Sequence, residues 1–192
     1  MKLLLDLLQG AGVSAATGIR PFLPTLLYGA LASGDLGVDF DGTAFAFLEA
    51  PWFLVLIAVL LVVSVLGRAR IEATRGAEAA LHGVGIGLAG LLFGGTLDDR
   101  FDVWWPGIIL GVAFALLGDR VSRELLGRVR KRLDAQAGGA LFLYAEAFAV
   151  LLVGLSVLFP PLALPGLGLL VFLLLGGRRR EGEKYAGLRI LR

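Results

Sequence analysis

Six long apolar segments separated by polar connections dominate the chain. They run over residues 3–32, 51–67, 79–95, 103–118, 139–159 and 162–177. Apolar stretches of about 20 residues are typical of helices that cross a bilayer. Because a backbone in lipid must satisfy its own hydrogen bonds, we predict that all six segments are helices. The pattern therefore predicts an all-α integral membrane protein.

The polar connections alternate in charge along the chain. Arg and Lys follow the second, fourth and sixth segments, whereas Asp and Glu dominate the connections after the first and third. Basic loops stay on the cytoplasmic side of a membrane, so the alternation predicts six transmembrane helices with both termini cytoplasmic. They form three helical hairpins, over residues 1–75, 76–136 and 137–192, within a single transmembrane domain of residues 1–192.

Composition narrows the class further. Hydrophobic residues make up 57% of the chain, above the roughly 45–50% of soluble domains. The chain has no Cys, which excludes disulfides and thiolate metal sites. A net charge of +2 is too small to indicate a nucleic-acid partner. We expect a multi-pass protein of the bacterial plasma membrane, without a cofactor or a metal.

The most unusual segment is Gly10–Pro24, inside the first apolar stretch. Pro21 and Pro24 lack amide donors, and Pro21 disfavours helical angles at Arg20. We therefore predict that the first helix is broken near Arg20. A charge beside a broken helix is typical of substrate or ion sites in transporters. The alternative is that Arg20 only anchors the helix at the membrane interface or to its neighbours.

Glu146 is the one acidic residue well inside a later apolar segment. A carboxylate in a low-dielectric environment needs a partner or a proton, and Arg20 is the evident partner. A purely structural ion pair is the alternative. The predicted substrate or ion site consists of Arg20, Glu146, Ser14, Thr17, Gly18 and Pro21.

His82 is the single histidine of the chain, and Glu78 precedes it by one helical turn. Residues four apart share a helix face, so the two predict a proton relay. An interfacial pair is the alternative. One His and one Glu do not indicate a metal site.

Two other patterns predict contacts rather than chemistry. Small residues that share a helix face permit close helix packing, which we predict for Gly10, Gly83, Gly87, Gly90 and Gly94. Residues 119–136 predict an amphipathic helix attracted to anionic lipid headgroups. Its basic side chains are Arg120, Arg123, Arg128, Arg130, Lys131 and Arg132. A second copy of the chain is a further candidate partner.

The run Ser14–Pro24 resembles a family of small bacterial multi-pass membrane proteins, the domain of unknown function number four-one-two-six. The similarity covers about residues 8–66 and 138–162. The family pattern has a Glu-Asp pair in the fifth segment where this chain has Glu146-Ala147, so one carboxylate is retained. The resemblance implies an integral membrane protein with no assigned chemistry.

We expect a transporter or channel-like protein for a small anion or a proton-coupled solute. The alternative is a membrane scaffold or lipid-binding component that transports nothing. We do not expect an enzyme, because the chain has no nucleophile elbow, phosphate-binding loop or His-Glu-x-x-His motif.

Overall fold

A computed structural model describes residues 2–67, 71, 74–130 and 135–186, apart from the side chains of residues 75, 126–130, 135–139 and 177–186. The described residues form helices and no strands, which confirms the all-α class. The α-helices are α1 Lys2–Ile19, α2 Phe22–Ala32, α3 Pro51–Leu66, α4 Arg75–Phe101, α5 Trp105–Arg130, α6 Ala135–Leu158 and α7 Ala163–Ala186. Short 3-10 helices at Ala46–Leu48 and Pro160–Leu162 precede α3 and α7.

Three helices are long and apolar enough to cross a membrane, over Gly76–Phe101, Trp105–Leu125 and Ala140–Leu158. The shorter apolar helices α2, α3 and Pro160–Gly176 accompany them. Helix α3 buries Phe53 and Ile57 alone, while its other faces expose Val, Leu and Trp side chains. A helix that is apolar on its outward faces suits contact with lipid. These features are consistent with a membrane protein.

Helix α1 is the central element of the bundle. It packs against α4, α5, α6 and α7, and every residue from Gln9 to Ile19 is buried. A helix surrounded by four others needs small side chains, because each neighbour must approach its backbone closely. The Gly, Ala and Ser residues of α1 meet this requirement.

The closest approach in the bundle is between α1 and α5. A Cβ atom added to Gly18 would overlap the backbone of Ala115, and one added to Gly118 would overlap the backbone of Ala15. Gly18 thus faces the carbonyl three residues before Gly118, and Gly118 faces the carbonyl three residues before Gly18. This reciprocal pattern is that of two parallel helices crossing at Gly18 and Gly118.

Helix α1 ends where the sequence predicts a break. The amide of Arg20 still donates to the carbonyl of Ala16 at 2.9 Å, but Pro21 has no amide to continue the ladder. Helix α2 begins at Phe22. The predicted break near Arg20 is confirmed.

After this break the chain reverses direction. Thr17 and Pro21 lie beside Gly85 of α4. Tyr28 lies about one and a half turns into α2, and its hydroxyl is 2.8 Å from Thr96 Oγ1. Thr96 is about 16 Å further along α4 than Gly85, at 1.5 Å per residue. The Tyr28 hydroxyl also accepts a hydrogen bond from Gln9 of α1 at 3.2 Å. Helices α1 and α2 therefore form an antiparallel hairpin.

This hairpin corrects the expected course of residues 3–32, which we had interpreted as one span. Asp6 Oδ1 lies 3.6 Å from Arg100 Nη1, so α1 starts beside the α4–α5 connection. We call this the acidic end, where Asp98, Asp99 and Asp102 lie; the opposite end, with Arg120 and Arg123, is the basic end. Helix α7 starts beside Gly12, near the acidic end, and runs toward the basic end. The first turn of α1 and the last described turn of α7 therefore lie toward opposite ends of the bundle, because the break at Pro21 turns the chain back.

The predicted amphipathic helix at residues 119–136 is a continuation of α5, which extends without interruption to Arg130. Arg120 and Arg123 are exposed on it. The side chains of Arg128 and Arg130, and residues Lys131 and Arg132, lie outside the described part of the chain.

The predicted packing glycines divide into two groups. Gly10 contacts Phe93, and Gly90 and Gly94 face Ile108 of α5. Gly83 and Gly87 have no described atom within 4 Å of an added Cβ, so a packing role for these two stays a prediction. They lie on the outward face of α4, whereas the contacts with α1 and α5 use other positions.

Replacement of Gly18 or Gly118 by Ala should lower the free energy of unfolding by about 1–3 kcal/mol, because the added methyl group has no space. Gly87→Ala is the matched control and should stabilise α4 by up to about 1 kcal/mol. Chemical unfolding in detergent micelles measures both. Equal effects at Gly18, Gly118 and Gly87 would contradict the close contact between α1 and α5.

The hairpin of α1 and α2 predicts that Asp6 lies close to Arg100, whereas a single span over residues 3–32 does not. Because the chain has no native Cys, the variant Asp6→Cys/Arg100→Cys should crosslink with a short bifunctional maleimide, detected as a mobility shift in gels. The pair Asp6→Cys/Arg123→Cys, with one residue at each end of the bundle, should not. The reverse outcome would support a single crossing by residues 3–32.

Candidate functional site

A cavity of about 240 Å³ lies near the basic end of the bundle. The α1–α2 break, α3, α4, α5 and α6 all contribute to its wall. Its charged or titratable lining residues are Arg20, Glu78, His82, Arg123 and Glu146. The cavity therefore brings together the predicted substrate site and the predicted proton relay, which the sequence analysis had treated separately.

Arg20 and Glu146 form an ion pair in this cavity. Arg20 Nε lies 3.6 Å from Glu146 Oε1, and the two side chains are 18% and 14% exposed. The guanidinium carbon of Arg20 also lies 4.1 Å from the ring centroid of Phe142, which is one turn before Glu146 on α6. The ring face favours the cation. The structure contains the pair that the sequence suggests, and α6 supplies both groups that Arg20 contacts here, Glu146 and Phe142.

The break between α1 and α2 presents Arg20 to the cavity. A Cβ atom at Gly85 would lie 3.2 Å from both the Thr17 carbonyl oxygen and Pro21 Cβ. The absence of a side chain at Gly85 therefore lets the break pack directly on α4. Arg20 follows α1 at this point and extends toward α6.

A second polar group adjoins the first. His82 Nδ1 lies 2.6 Å from Asp119 Oδ1, an ion-pair contact in which the atoms are not aligned as a hydrogen bond. The Asp119 side chain is 1% exposed, and its other oxygen accepts a hydrogen bond from Arg123 one turn later on α5. Glu78 Oε1 lies 3.9 Å from His82 Nε2 and is half exposed. His82 thus lies between a buried and an accessible carboxylate.

Sequence reasoning missed Asp119, which we had placed at the start of the basic amphipathic helix. The signal for it is the register of α4 against α5. Gly111 of α5 packs against Ala89 and Gly90 of α4. Because the two helices are antiparallel, the residue eight positions after Gly111 lies near the residue seven positions before Ala89. Those residues are Asp119 and His82.

The remaining predicted site residues fall into two groups. Gly18 and Pro21 line the cavity, as does Thr17, whose hydroxyl donates to the Val13 carbonyl at 2.9 Å. Ser14 is fully buried and donates to the Ala89 carbonyl at 3.3 Å. Ser14 is not among the cavity-lining residues; its hydrogen bond joins α1 to α4, and a role for it in the site stays a prediction.

The acidic end holds a separate polar network that sequence reasoning also missed. Arg100 donates to the Gly37 carbonyl at 2.7 Å and to Asp99 at 2.9 Å, in addition to its contact with Asp6. Gln9 donates to the same carbonyl of Gly37 at 3.0 Å. These bonds tie the first turns of α1 to the connections that follow α2 and α4.

Three carboxylates lie close together in the α2–α3 connection at this end. One oxygen each from Asp39, Asp41 and Glu49 lie within 4.8 Å of one another. Burial, and next the neighbouring Asp41, raise the pKa of Glu49, although its carboxylate accepts a hydrogen bond from the Phe40 amide. Exposed acidic groups often cluster without an ion, so we assign no metal to them.

Removal of either partner of the Arg20–Glu146 pair should destabilise the protein, because the other charge stays largely buried. We expect Arg20→Met and Glu146→Gln each to lower the free energy of unfolding by about 2–3 kcal/mol. The double variant should lose about 1–3 kcal/mol less than the sum. Asp99→Asn, in a more exposed ion pair, is the control and should change stability by about 1 kcal/mol at most. Strict additivity would contradict the pairing.

The chain matches no protein-family model, no curated protein and no solved structure. The resemblance of Ser14–Pro24 to the family of unknown function therefore stays a prediction. Any proposal about function depends on the cavity and its charged residues.

Proposed function

We propose that the protein carries a small anion across the membrane together with a proton, and that the cavity around Arg20 and Glu146 is the binding site. The observation that supports this most directly is the placement of an ion pair, rather than an isolated charge, in the wall of a cavity within the bundle. Such a pair accepts an anion once its acid is protonated.

The coupling follows from the charges of the pair. While Glu146 is ionised, it neutralises Arg20, and an anion gains little by entering. Protonation of Glu146 removes the negative charge that lies beside the Arg20 guanidinium in a low-dielectric site, and an anion then gains more by binding there. The second oxygen of Glu146 is buried and has no hydrogen-bond partner among the described residues, so an added proton displaces no existing bond there.

The dimensions and lining of the cavity favour a small ligand. A volume of 240 Å³ is below the roughly 300–1,000 Å³ of sites for drug-sized molecules. Hydroxyl groups of Thr17, Ser64 and Ser122 line it beside the apolar side chains of Leu61 and Phe142. An inorganic anion or a short carboxylate fits this mixture better than a large organic solute.

We further propose that the protein lies in a bacterial plasma membrane with its basic end toward the cytoplasm, since Arg120 and Arg123 lie at that end. Helix α2 has 11 residues, about 16 Å, which is too short to cross a hydrocarbon core of about 30 Å. In this arrangement the α1–α2 hairpin enters and leaves from the outer side, and α3 to α7 cross the membrane.

A scaffold function is the second candidate, and one observation favours it. Gly83 and Gly87 lie on an outward face of α4 with no described atom near them, and Val84 between them is 44% exposed. A smooth face of this kind suits packing against another helix. In that function the Arg20–Glu146 pair would contribute to stability alone.

Purified protein in liposomes containing a pH-sensitive dye tests the transport proposal. An inward gradient of chloride, nitrate or phosphate should acidify the lumen when the transported anion is present. Glu146→Gln should retain anion flux, measured with an ion-selective electrode, but lose proton movement by about tenfold or more. Arg20→Gln should lose both. Glu49→Gln removes a carboxylate at the acidic end and should retain both.

Circular dichroism and gel filtration establish that each variant is folded before flux is compared. The proposal is wrong if none of these anions drives proton movement in the wild-type protein. It is also wrong if folded Arg20→Gln transports as well as the wild type. Either result would favour the scaffold function.

A further inference from the structure

We infer that His82 is the group that delivers protons to the cavity, with Asp119 as the residue that positions it. This inference rests on the proposed function of the cavity. It assigns a role to Asp119 and fixes which nitrogen of His82 carries the proton in the neutral ring.

His82 lies between the solvent-accessible Glu78 and the cavity. Glu78, on one side, is 51% exposed, whereas Asp119, on the other, is 1% exposed, and His82 itself is 26% exposed. His82 and Glu146 also line the same cavity. The volume of 240 Å³ holds several waters at about 30 Å³ each, enough to carry a proton between the two side chains.

Asp119 determines the state of the imidazole. Arg123 donates to Asp119 Oδ2, which leaves Oδ1 facing His82 Nδ1 at 2.6 Å. A carboxylate at one ring nitrogen holds the proton there and leaves the other nitrogen as the acceptor. The neutral ring of His82 therefore carries its proton on Nδ1, and Nε2 is available to bind another.

The transfer is balanced at each step. Nε2 binds a proton that arrives from water or from Glu78, and the ring becomes an imidazolium. Nε2 then releases that proton to the carboxylate of Glu146, and the ring returns to its neutral Nδ1-protonated form. Asp119 neither gives nor takes a proton in these steps, because its role is to orient the ring.

The charges that face His82 come from each side of the cavity. Glu78 is on the same helix, Asp119 and Arg123 are on α5, Arg20 extends from the α1–α2 break, and Glu146 is on α6. Within the described part of α3, the lining residues Leu61 and Ser64 do not titrate. Among these described residues the acids outnumber the arginines by one, so an imidazolium would balance their charges.

Nuclear magnetic resonance tests the inference directly, because the chain contains a single histidine. With ¹⁵N-histidine labelling, purified protein in lipid vesicles gives signals from His82 alone. At a pH where the ring is neutral, the wild type should show the Nδ1-protonated tautomer. Asp119→Asn should shift it to the Nε2-protonated tautomer, since Arg123 keeps the amide oxygen and the amide NH₂ then donates to Nδ1. Asp119→Glu should restore the wild-type signal.

Flux measurements in the same vesicles supply the second readout. His82→Gln and Asp119→Asn should each lower proton movement and anion flux together by about tenfold, because the anion enters only after Glu146 has received its proton, and Asp119→Glu should recover both in part. Glu49→Gln should leave both fluxes unchanged.

The two proposals fail in different ways. Absence of anion-driven proton movement in the wild type overturns the proposed function and this inference with it. If the wild type transports, an Nε2-protonated tautomer, or an unchanged tautomer in Asp119→Asn, overturns the inference alone. Full proton movement in folded His82→Gln does the same.

Discussion

The contact of α1 with α5 at Gly18 and Gly118 is the constraint on which the candidate site depends. The two backbones touch at this crossing, and the residues next to it carry the charges: Arg20 follows Gly18 by two positions, and Asp119 follows Gly118 directly. Close packing at the glycines therefore places the charges of Arg20 and Asp119 at the same depth in the bundle. A larger side chain at either glycine would separate the helices and with them the two halves of the cavity.

The charged residues inside the bundle are arranged in compensating sets. Arg20 faces Glu146, Asp119 faces both His82 and Arg123, and Arg100 bridges Asp6 and Asp99 at the acidic end. Burial of a lone charge is unfavourable by several kcal/mol, whereas a paired charge recovers much of that cost. This explains how an apolar bundle tolerates two polar layers. The two layers differ in their surroundings: Asp99 and Arg100 at the acidic end line an open surface pocket, while the charges at the basic end line the 240 Å³ cavity.

Much of this architecture follows from the sequence. The apolar segments predict the helices, and Pro21 predicts the break, since a missing amide acts locally. The return of α2 alongside α1 was not predicted, because a proline indicates where a helix ends but not the direction of the next one. The pairing of Asp119 with His82 depends on the register between two helices, which neither helix encodes alone. Gly83 and Gly87 share the spacing of Gly90 and Gly94, yet only their position relative to α5 decides which of them pack.

The pairing of Arg20 with Glu146 also sets how strongly proton and anion binding can be linked. If protonation of Glu146 increases the affinity of the cavity for an anion, bound anion must increase the affinity of Glu146 for a proton by the same factor. A guanidinium fixed alone in the cavity would bind anions at any pH and could not link the two. A carboxylate fixed alone would bind protons regardless of the anion. The proposed linkage therefore requires both members of the pair, and it depends on the α1–α2 break that turns Arg20 toward α6.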